Sequence, residues 1–577
     1  MPAASAAALL RANAVDPERA VRPALRFGDQ TWTHHSYVEE CERWSGWMVA
    51  SRPAGRPLHL GVLLDNTPDY LFALGGAALS GSTVVGLNHT RVGKHLLRDL
   101  THTEVDVVLT EPRHLDALAG LDLGSRPVVV SHRWGGTVAR GDLDLDSVLA
   151  GGGTALAAGD GPDPGDGPDP GDGPGPDATW ALIFTSGTSG APKAVICSQR
   201  RMLVTGNRMS MLLGLRPDDV GYVCMPLFHS NALMVGWAPS IVVGASVALA
   251  RRFSASGWLP DVRRYGATWF NYTGKPLSYL VATPEHDDDA DNPLRIAFGN
   301  EGSPQVIETF GRRFGVEVVD AFGSTEGAIA VNREVEARRG AVGVAGATIA
   351  VVDDSGEPCA PARFDADGGL LNAAEAVGEI VNTAGSGPFE GYYGNDEATS
   401  AATRNGWYWS GDLGYLDADR YLYFAGRTGD WLRVDGENFP AQPVLDALVS
   451  HPDVVVGAVY GVPDVHAGDQ VMAALVLRGS ATFDGVAFAQ WVDSRSGLGP
   501  KWRPRYVRVS RSLPGTGTNK VVTRELRRQK YRLDLVGDDE LWVRERGQDS
   551  YRRFTDADET LLRVAMETAG RERFWEL

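Results

Sequence analysis

The run Ala181 to Ser198, ALIFTSGTSGAPKAVICS, sets two apolar, strand-like segments around a loop of small residues that ends in Lys193. Gly187 and Gly190 allow backbone angles that let successive N–H groups converge on an anion, while Thr185, Ser186, Thr188 and Ser189 add hydroxyl donors. That combination suits a phosphate. It differs from the kinase-type loop, where Lys directly follows the last Gly and precedes Ser or Thr, because Ala191 and Pro192 intervene here. Further along, AFGSTEG (321–327), WYWSGD (407–412), GRTGD (426–430) and LPGTGTNK (513–520) each place a ring, carboxylate, guanidinium or ammonium beside Gly and hydroxyl residues.

The Thr185-to-Lys193 loop resembles the signature of the adenylate-forming superfamily, which includes acyl-CoA synthetases, luciferases and peptide-synthetase adenylation domains, and the later strings resemble its other motifs in order. The resemblance spans Thr185 to Lys520 and implies ATP, Mg²⁺ and coenzyme A as reactants and cofactor. It implies that the Asp320-to-Thr325 stretch (Asp320, Ala321, Phe322, Gly323, Ser324, Thr325) flanks the nucleotide, with Phe322 on adenine, and that Thr325 and Glu326 act in catalysis. Glu326 with the Thr185 hydroxyl would hold the metal, since a hard cation takes carboxylate, hydroxyl, water and phosphate oxygens. Asp412 and Arg427 inherit the ribose contacts, and Asp430 the hinge. Lys520 inherits the catalytic lysine: its ammonium would neutralise charge as a carboxylate oxygen attacks the α-phosphorus and pyrophosphate leaves.

NYTGKPLSYL (271–280) and RIAFGNE (295–301) resemble the fatty-acid and very-long-chain acyl-CoA synthetase branch. This puts Gly299, Asn300 and Glu301 beside adenine and the acyl carbonyl, and Tyr272 and Thr273 on the acyl tunnel. PLFHSNA (226–232) resembles another family motif, with His229 at the carboxylate end of that tunnel as a further catalytic candidate and Met234 and Trp237 as candidate walls. After the hinge, Arg433, Gly436 and Glu437 would approach coenzyme A. The chain departs from the common pattern where Arg433 replaces a Lys, and where Gly515 and Asn519 replace Lys or Arg and Gly in the last motif. Arg keeps charge but not donor geometry.

The positioning elements are legible as alternating apolar runs and helical patterns. LHLGVLL, DNTPDYLFALGGAALSG, TVVGLN, RVGKHLLRDLTHT and VDVVLT (58–110) predict one parallel α/β subdomain, and the segments from Val220 to Phe322 a second. A β-rich subdomain follows Gly378. The fold class is α/β, with an N-terminal adenylation domain over 1–429 and a small, mobile α+β C-terminal domain over 430–577, its tail after Lys520 mainly helical. The repeated GDGPDP text in 159–177 predicts a disordered surface loop.

A net charge of −18 opposes an obligate nucleic-acid partner. Four separated cysteines give neither a disulfide framework nor a zinc site and fit a cytoplasmic protein. Neither a secretory signal nor an integral membrane segment is expected, since the longest apolar stretch, Ile241 to Ala250, is about half of what a bilayer needs. The leading reading is an ATP-dependent acid–CoA ligase acting on a small-molecule carboxylic acid. The alternatives are an adenylating enzyme that hands acyl-AMP to a carrier protein or partner enzyme, and a non-catalytic nucleotide- or acyl-binding protein.

Overall fold

The computed structural model describes residues 4–136, 143–151, 174–185, 193–273, 275–300, 302, 304–332, 338, 340–365, 370–427, 431–434, 437–465, 468–479, 481–495, 498–515, 521–545, 547–572 and 575. Most of the repeated Gly/Pro/Asp run lies outside them.

The first apolar series forms a seven-stranded sheet in the order Leu143–Asp144, Val128–Val130, Val107–Thr110, His59–Leu63, Thr83–Gly86, Thr179–Thr185, Lys193–Ser198. Its strands run parallel except for the last, which pairs antiparallel with Thr179–Thr185 so that Thr185 opposes Lys193. The phosphate-loop string therefore joins two strands at a sheet edge. Every residue of the helix Pro68–Ser80 is buried. Its near-continuous apolar text has no polar face to give to water.

The second series forms an eight-stranded sheet in the order Ala330–Asn332, Glu317–Gly323, Ile296–Asn300, Trp269–Thr273, Val220–Val223, Ser246–Leu249, Pro23–Phe27, Gln30–Thr33. The apolar text 240–250 does not form one element. It divides into the helix Ala238–Val243 and the strand Ser246–Leu249 at Gly244, whose φ of +75° ends the helix. The N-terminal text AAALLRANAV forms a helix, Ala6–Val15, capped by the Ser5 side chain and buried through Leu9 and Leu10.

One apolar core spans both sheets. Where they meet, charged residues just beyond the strand ends interlock. Asp65 accepts from His114 Nε2 at 2.9 Å and from Arg113, while Glu111 accepts from the Asp65 backbone N–H at 2.8 Å and from Arg251, which belongs to the other sheet's connection. His89 stacks on His114 at 5.0 Å and meets Phe228 edge-on at 5.2 Å.

Gly343–Val344, Ile349–Val352, Gly378–Asn382, Tyr408–Leu416 and Tyr421–Arg427 make a five-stranded antiparallel sheet, the expected β-rich unit, which begins before Gly378 with its first two strands. Beyond the hairpin Trp431–Val434/Glu437–Pro440, a second five-stranded sheet contains Val454–Pro463, Asp469–Leu477, Tyr506–Ser510, Glu540–Val543 and Arg552–Arg553. Alternate residues of its strands face two separate apolar clusters, one holding Val459, Ala473 and Leu475 and the other Ala458, Tyr460 and Met472. The tail after 520 is mainly helical, as expected, with the helices Thr523–Gln529, Leu533–Val536 and Asp556–Thr568, and it also supplies two short strands that extend this sheet. Among the described residues no helix is long and apolar enough to cross a membrane.

Candidate active site

Thr185 and Lys193 end the two strands that flank the phosphate-loop string. The loop's own Ser186, Gly187, Thr188, Ser189 and Gly190 lie outside the described residues, as do Glu301, Asp430, Gly436 and Lys520, and so do the side chains of Arg427 and Glu437. The strand Lys193–Ser198 leads into the helix Gln199–Leu212, capped by Ser198, whose hydroxyl donates to Glu390 Oε1 at 2.5 Å. Arg201, nearly buried on that helix, donates to the Ile196 carbonyl at 2.7 Å and to the carbonyl of Thr325. One guanidinium thus ties the exit of the phosphate loop to AFGSTEG.

The strand Glu317–Gly323 carries Asp320, Ala321, Phe322 and Gly323 to its end, and the turn beyond presents Ser324, Thr325 and Glu326. Asp320 is buried and accepts from the Tyr272 hydroxyl at 2.8 Å and from the Gly302 N–H at 3.1 Å. Its carboxylate therefore holds three neighbouring segments together. Gly299 lies directly over Tyr272: a Cβ there would stand 2.4 Å from the Tyr272 carbonyl oxygen, so only glycine fits. The Asn300 Oδ1 is buried and has no hydrogen-bond partner among the described residues.

Thr325 Oγ1 lies 2.9 Å from Ser230 Oγ, linking this turn to the segment that bears His229. Glu326 is 8% exposed and accepts from the Tyr392 hydroxyl at 2.7 Å. The same Tyr392 ring carries the Lys193 ammonium 4.9 Å from its centroid. Burial, and then the nearby Glu326 charge, push the Tyr408 phenol well above its ordinary range. Thr185, Lys193, Thr325 and Glu326, far apart in sequence, thus come together through Arg201 and Tyr392. A carboxylate and hydroxyls of this kind fit a hard cation.

His229 packs against Phe228 with ring centroids 4.5 Å apart. It precedes a seven-residue π-helix, Asn231–Trp237, a wide-turn geometry that is rare and concentrates at functional sites. Asn231 and Asn271 clasp this turn to the strand Trp269–Thr273: Asn271 Nδ2 donates to Asn231 Oδ1 at 2.6 Å, and Asn231 Nδ2 to the Tyr272 carbonyl at 3.0 Å. Met234 and Trp237 are buried, and Trp237 stacks on Trp180 of the phosphate-loop strand at 5.6 Å. Thr273 is buried with its hydroxyl 3.6 Å from the Met225 sulfur.

Asp412 is buried in the strand Tyr408–Leu416, in register with Arg427 of the next strand. Gly411, at φ +72°, makes the kink before it. Phe322 meets Phe424 of that sheet at 5.5 Å. Arg433 is exposed on the hairpin, between the buried Leu432 and Val434, with its backbone N–H on Asp469 at 3.3 Å.

Sequence reasoning missed Arg201, Ser230, Asn231 and Tyr392. The signal for Tyr392 is the string EGYYGN, where glycine and aromatics interrupt a polar stretch. Arg201 carried no local signal. A carboxylate–histidine group able to ligate a metal, Asp65, Glu111 and His114, also went unread, and its oxygens are engaged by Arg113 and Arg251.

The model of AMP-binding enzymes matches residues 12–393, and that of the AMP-binding enzyme C-terminal domain matches 446–520. The chain is 44% identical over 96% of its length, and 96% of the relative's, to steroid-22-oyl-CoA synthetase of Rhodococcus jostii. It is 46% identical over 82% of its length, and 86% of the relative's, to the medium/long-chain-fatty-acid–CoA ligase FadD17 of Mycobacterium marinum. Among solved structures, the anthranilate CoA ligase AuaEII in complex with anthranoyl-AMP superposes with a TM-score of 0.75 at 21% identity, covering 91% of this chain and 97% of that one. That likeness is one of fold.

Proposed function

The chain belongs to the AMP-binding enzyme family and is an ATP-dependent acid–CoA ligase working through an acyl-AMP, and on that premise we propose that its acid is a bulky, apolar one of the steroid side-chain class. The observation that carries this reading is the end-to-end match, 96% of both chains, to a relative named for a steroid-22-oyl substrate. A second reading, a medium- or long-chain fatty acid, is favoured by the 46% identity to ligases named for those acids, over a smaller share of the chain.

Within this reading Lys193, with the loop from Thr185 to Gly190, binds the β- and γ-phosphates. Asp412 and Arg427 hold the ribose, Phe322 covers adenine, and the unpartnered Asn300 Oδ1 suits the adenine amino group. Thr185 and Glu326 would hold Mg²⁺, which neutralises charge on the phosphate oxygens when bound. The acid lies along the turn that begins at Asn231, with its carboxylate toward His229. An ionised carboxylate attacks the α-phosphorus without a general base, so His229 orients rather than abstracts a proton, and Lys520 faces the developing charge. The division into residues 1–429 and 430–577, with Asp430 as hinge, is supported by the two family matches on either side and by separate apolar cores. Rotation there would exchange Lys520 for Arg433, Gly436 and Glu437 beside coenzyme A. We place the enzyme in the cytoplasm, in keeping with its four unpaired cysteines.

The test is a mass-spectrometric assay with Mg-ATP and coenzyme A against a steroid C22 acid, dodecanoate, palmitate and benzoate, following acyl-AMP and acyl-CoA separately. The expected result is steroidal acyl-CoA with kcat/KM at least about tenfold above either fatty acid, roughly 1.4 kcal/mol of discrimination. Preference for palmitate would replace the first reading with the second.

A further inference from the structure

Lys193 and Glu326 carry opposite charges into one partly buried place, where two such groups would normally collapse into an ion pair. A carboxylate neutralised by lysine is a poor metal ligand, and a lysine held by a carboxylate is a poor phosphate ligand. Tyr392 stands between them. Its hydroxyl donates to Glu326 Oε1 at 2.7 Å, and its ring face receives the Lys193 ammonium 4.9 Å from the centroid. It is 6% exposed and fixed on every side. Its backbone bridges to Val195, its N–H donates to Thr399 Oγ1 at 3.0 Å, and Phe389 packs edge-on against the ring at 4.9 Å. The flanking hydrogen bonds Ile196 N–H to the Gly391 carbonyl and Tyr393 N–H to the Ala194 carbonyl lay this segment along the Lys193 strand. The backbone that carries the ring is thus tied to the strand that delivers Lys193.

We propose that Tyr392 is a positioning residue that holds Lys193 and Glu326 apart, so that the ammonium meets the phosphates of ATP and the carboxylate meets the metal instead of each other. The inference rests on the roles given above to Lys193 and Glu326. The two holds differ in kind. A ring face attracts a cation much less than a carboxylate does, so Lys193 is aimed yet free to transfer to a phosphate. The phenol orients a carboxylate as an outer partner orients a metal ligand, leaving its other oxygen for the cation.

The two holds separate by mutation. Equilibrium binding of ATP to the full chain, without any acid, is measured with Mg²⁺ and with EDTA. Tyr392→Phe keeps the ring but frees Glu326: the half-saturating Mg²⁺ concentration rises about tenfold while affinity for metal-free ATP is unchanged. Tyr392→Leu removes both holds, and metal-free ATP affinity also falls about three- to tenfold. A wild-type Mg²⁺ response in Tyr392→Phe would overturn the proposal, as would equal losses of both affinities in the two variants with lowered melting temperatures. Glu326→Gln and Lys193→Met separate the levels. An unchanged Mg²⁺ requirement in Glu326→Gln overturns the reading of the site and the role of Tyr392 with it. A lost requirement in Glu326→Gln beside a wild-type Tyr392→Phe overturns the role of Tyr392 alone.

Discussion

Two charged clusters stand at strand ends of the same sheets, and they use charge in opposite ways. At the meeting of the two large sheets, Asp65 and Glu111 are answered by Arg113, His114 and Arg251, so the charges cancel within the protein. At the phosphate-loop edge, Lys193 and Glu326 are held on two parts of one tyrosine. The first arrangement joins layers, and the second keeps its two charges on separate parts of one side chain. Chemical type does not separate them; what each group already touches does.

The largest effect that tests this contrast is at the second cluster. Glu326→Gln is expected to lower kcat/KM by about 10²–10³ with a melting temperature close to that of the wild type, checked by pyrophosphate release and calorimetry. A large fall in stability there would erase the contrast. At the first cluster the balance reverses. Arg251→Met takes the guanidinium from the buried Glu111 carboxylate and should cost about 3 kcal/mol of unfolding free energy in urea titration, with ATP affinity kept at low temperature.

A pH titration of stability sharpens the comparison further. Burial disfavours the Asp65 carboxylate, but His114 and Arg113 outweigh it and hold the group well below the usual carboxylate range. Its stabilising contribution is therefore complete above about pH 4 and is lost as pH falls, and Asp65→Asn should remove that acid-side loss. Asp99, buried with Arg91 at 2.8 Å, is instead pushed up to about 6, because burial outweighs the nearby Arg91 and Arg98 charges. Here the folded chain holds a proton that the unfolded chain releases, so stability falls as pH rises from about 4 to 6, by on the order of 2 kcal/mol, and Asp99→Asn should flatten that slope. Slopes of the same sign would break the distinction between a network and a lone pair. The smallest effect is at the rim: His89→Ala removes the stack on His114 and should cost about 1 kcal/mol without changing the Mg²⁺ dependence.

The parallel sheets were legible because buried strands are continuous apolar runs bounded by turn residues, as in Val107–Thr110 and Trp269–Thr273. The run 240–250 was not resolved into helix and strand, since both elements are apolar throughout and only Gly244 marks the change. The strands Glu540–Val543 and Arg552–Arg553 were hidden in a charged tail because both are short and the second, at the sheet edge, is wholly polar. Motif order gave Thr185, Lys193, Thr325, Glu326 and Asp412 as candidates. It could not give Tyr392 or Arg201, whose contacts cross gaps of 66 and 124 positions, nor the Asp65 network, assembled from separate strand ends.

The Trp180–Trp237 stack fills the core between the strand that feeds the phosphate loop and the wide turn beyond His229. If the acid lies along that turn, a lineage cannot enlarge its substrate range there cheaply. Trading Trp237 for a smaller side chain would open room for the acid and, in the same stroke, loosen the support beneath the phosphate loop. Broader acid tolerance would then be inherited together with weaker nucleotide binding, and selection would favour changes elsewhere along the turn.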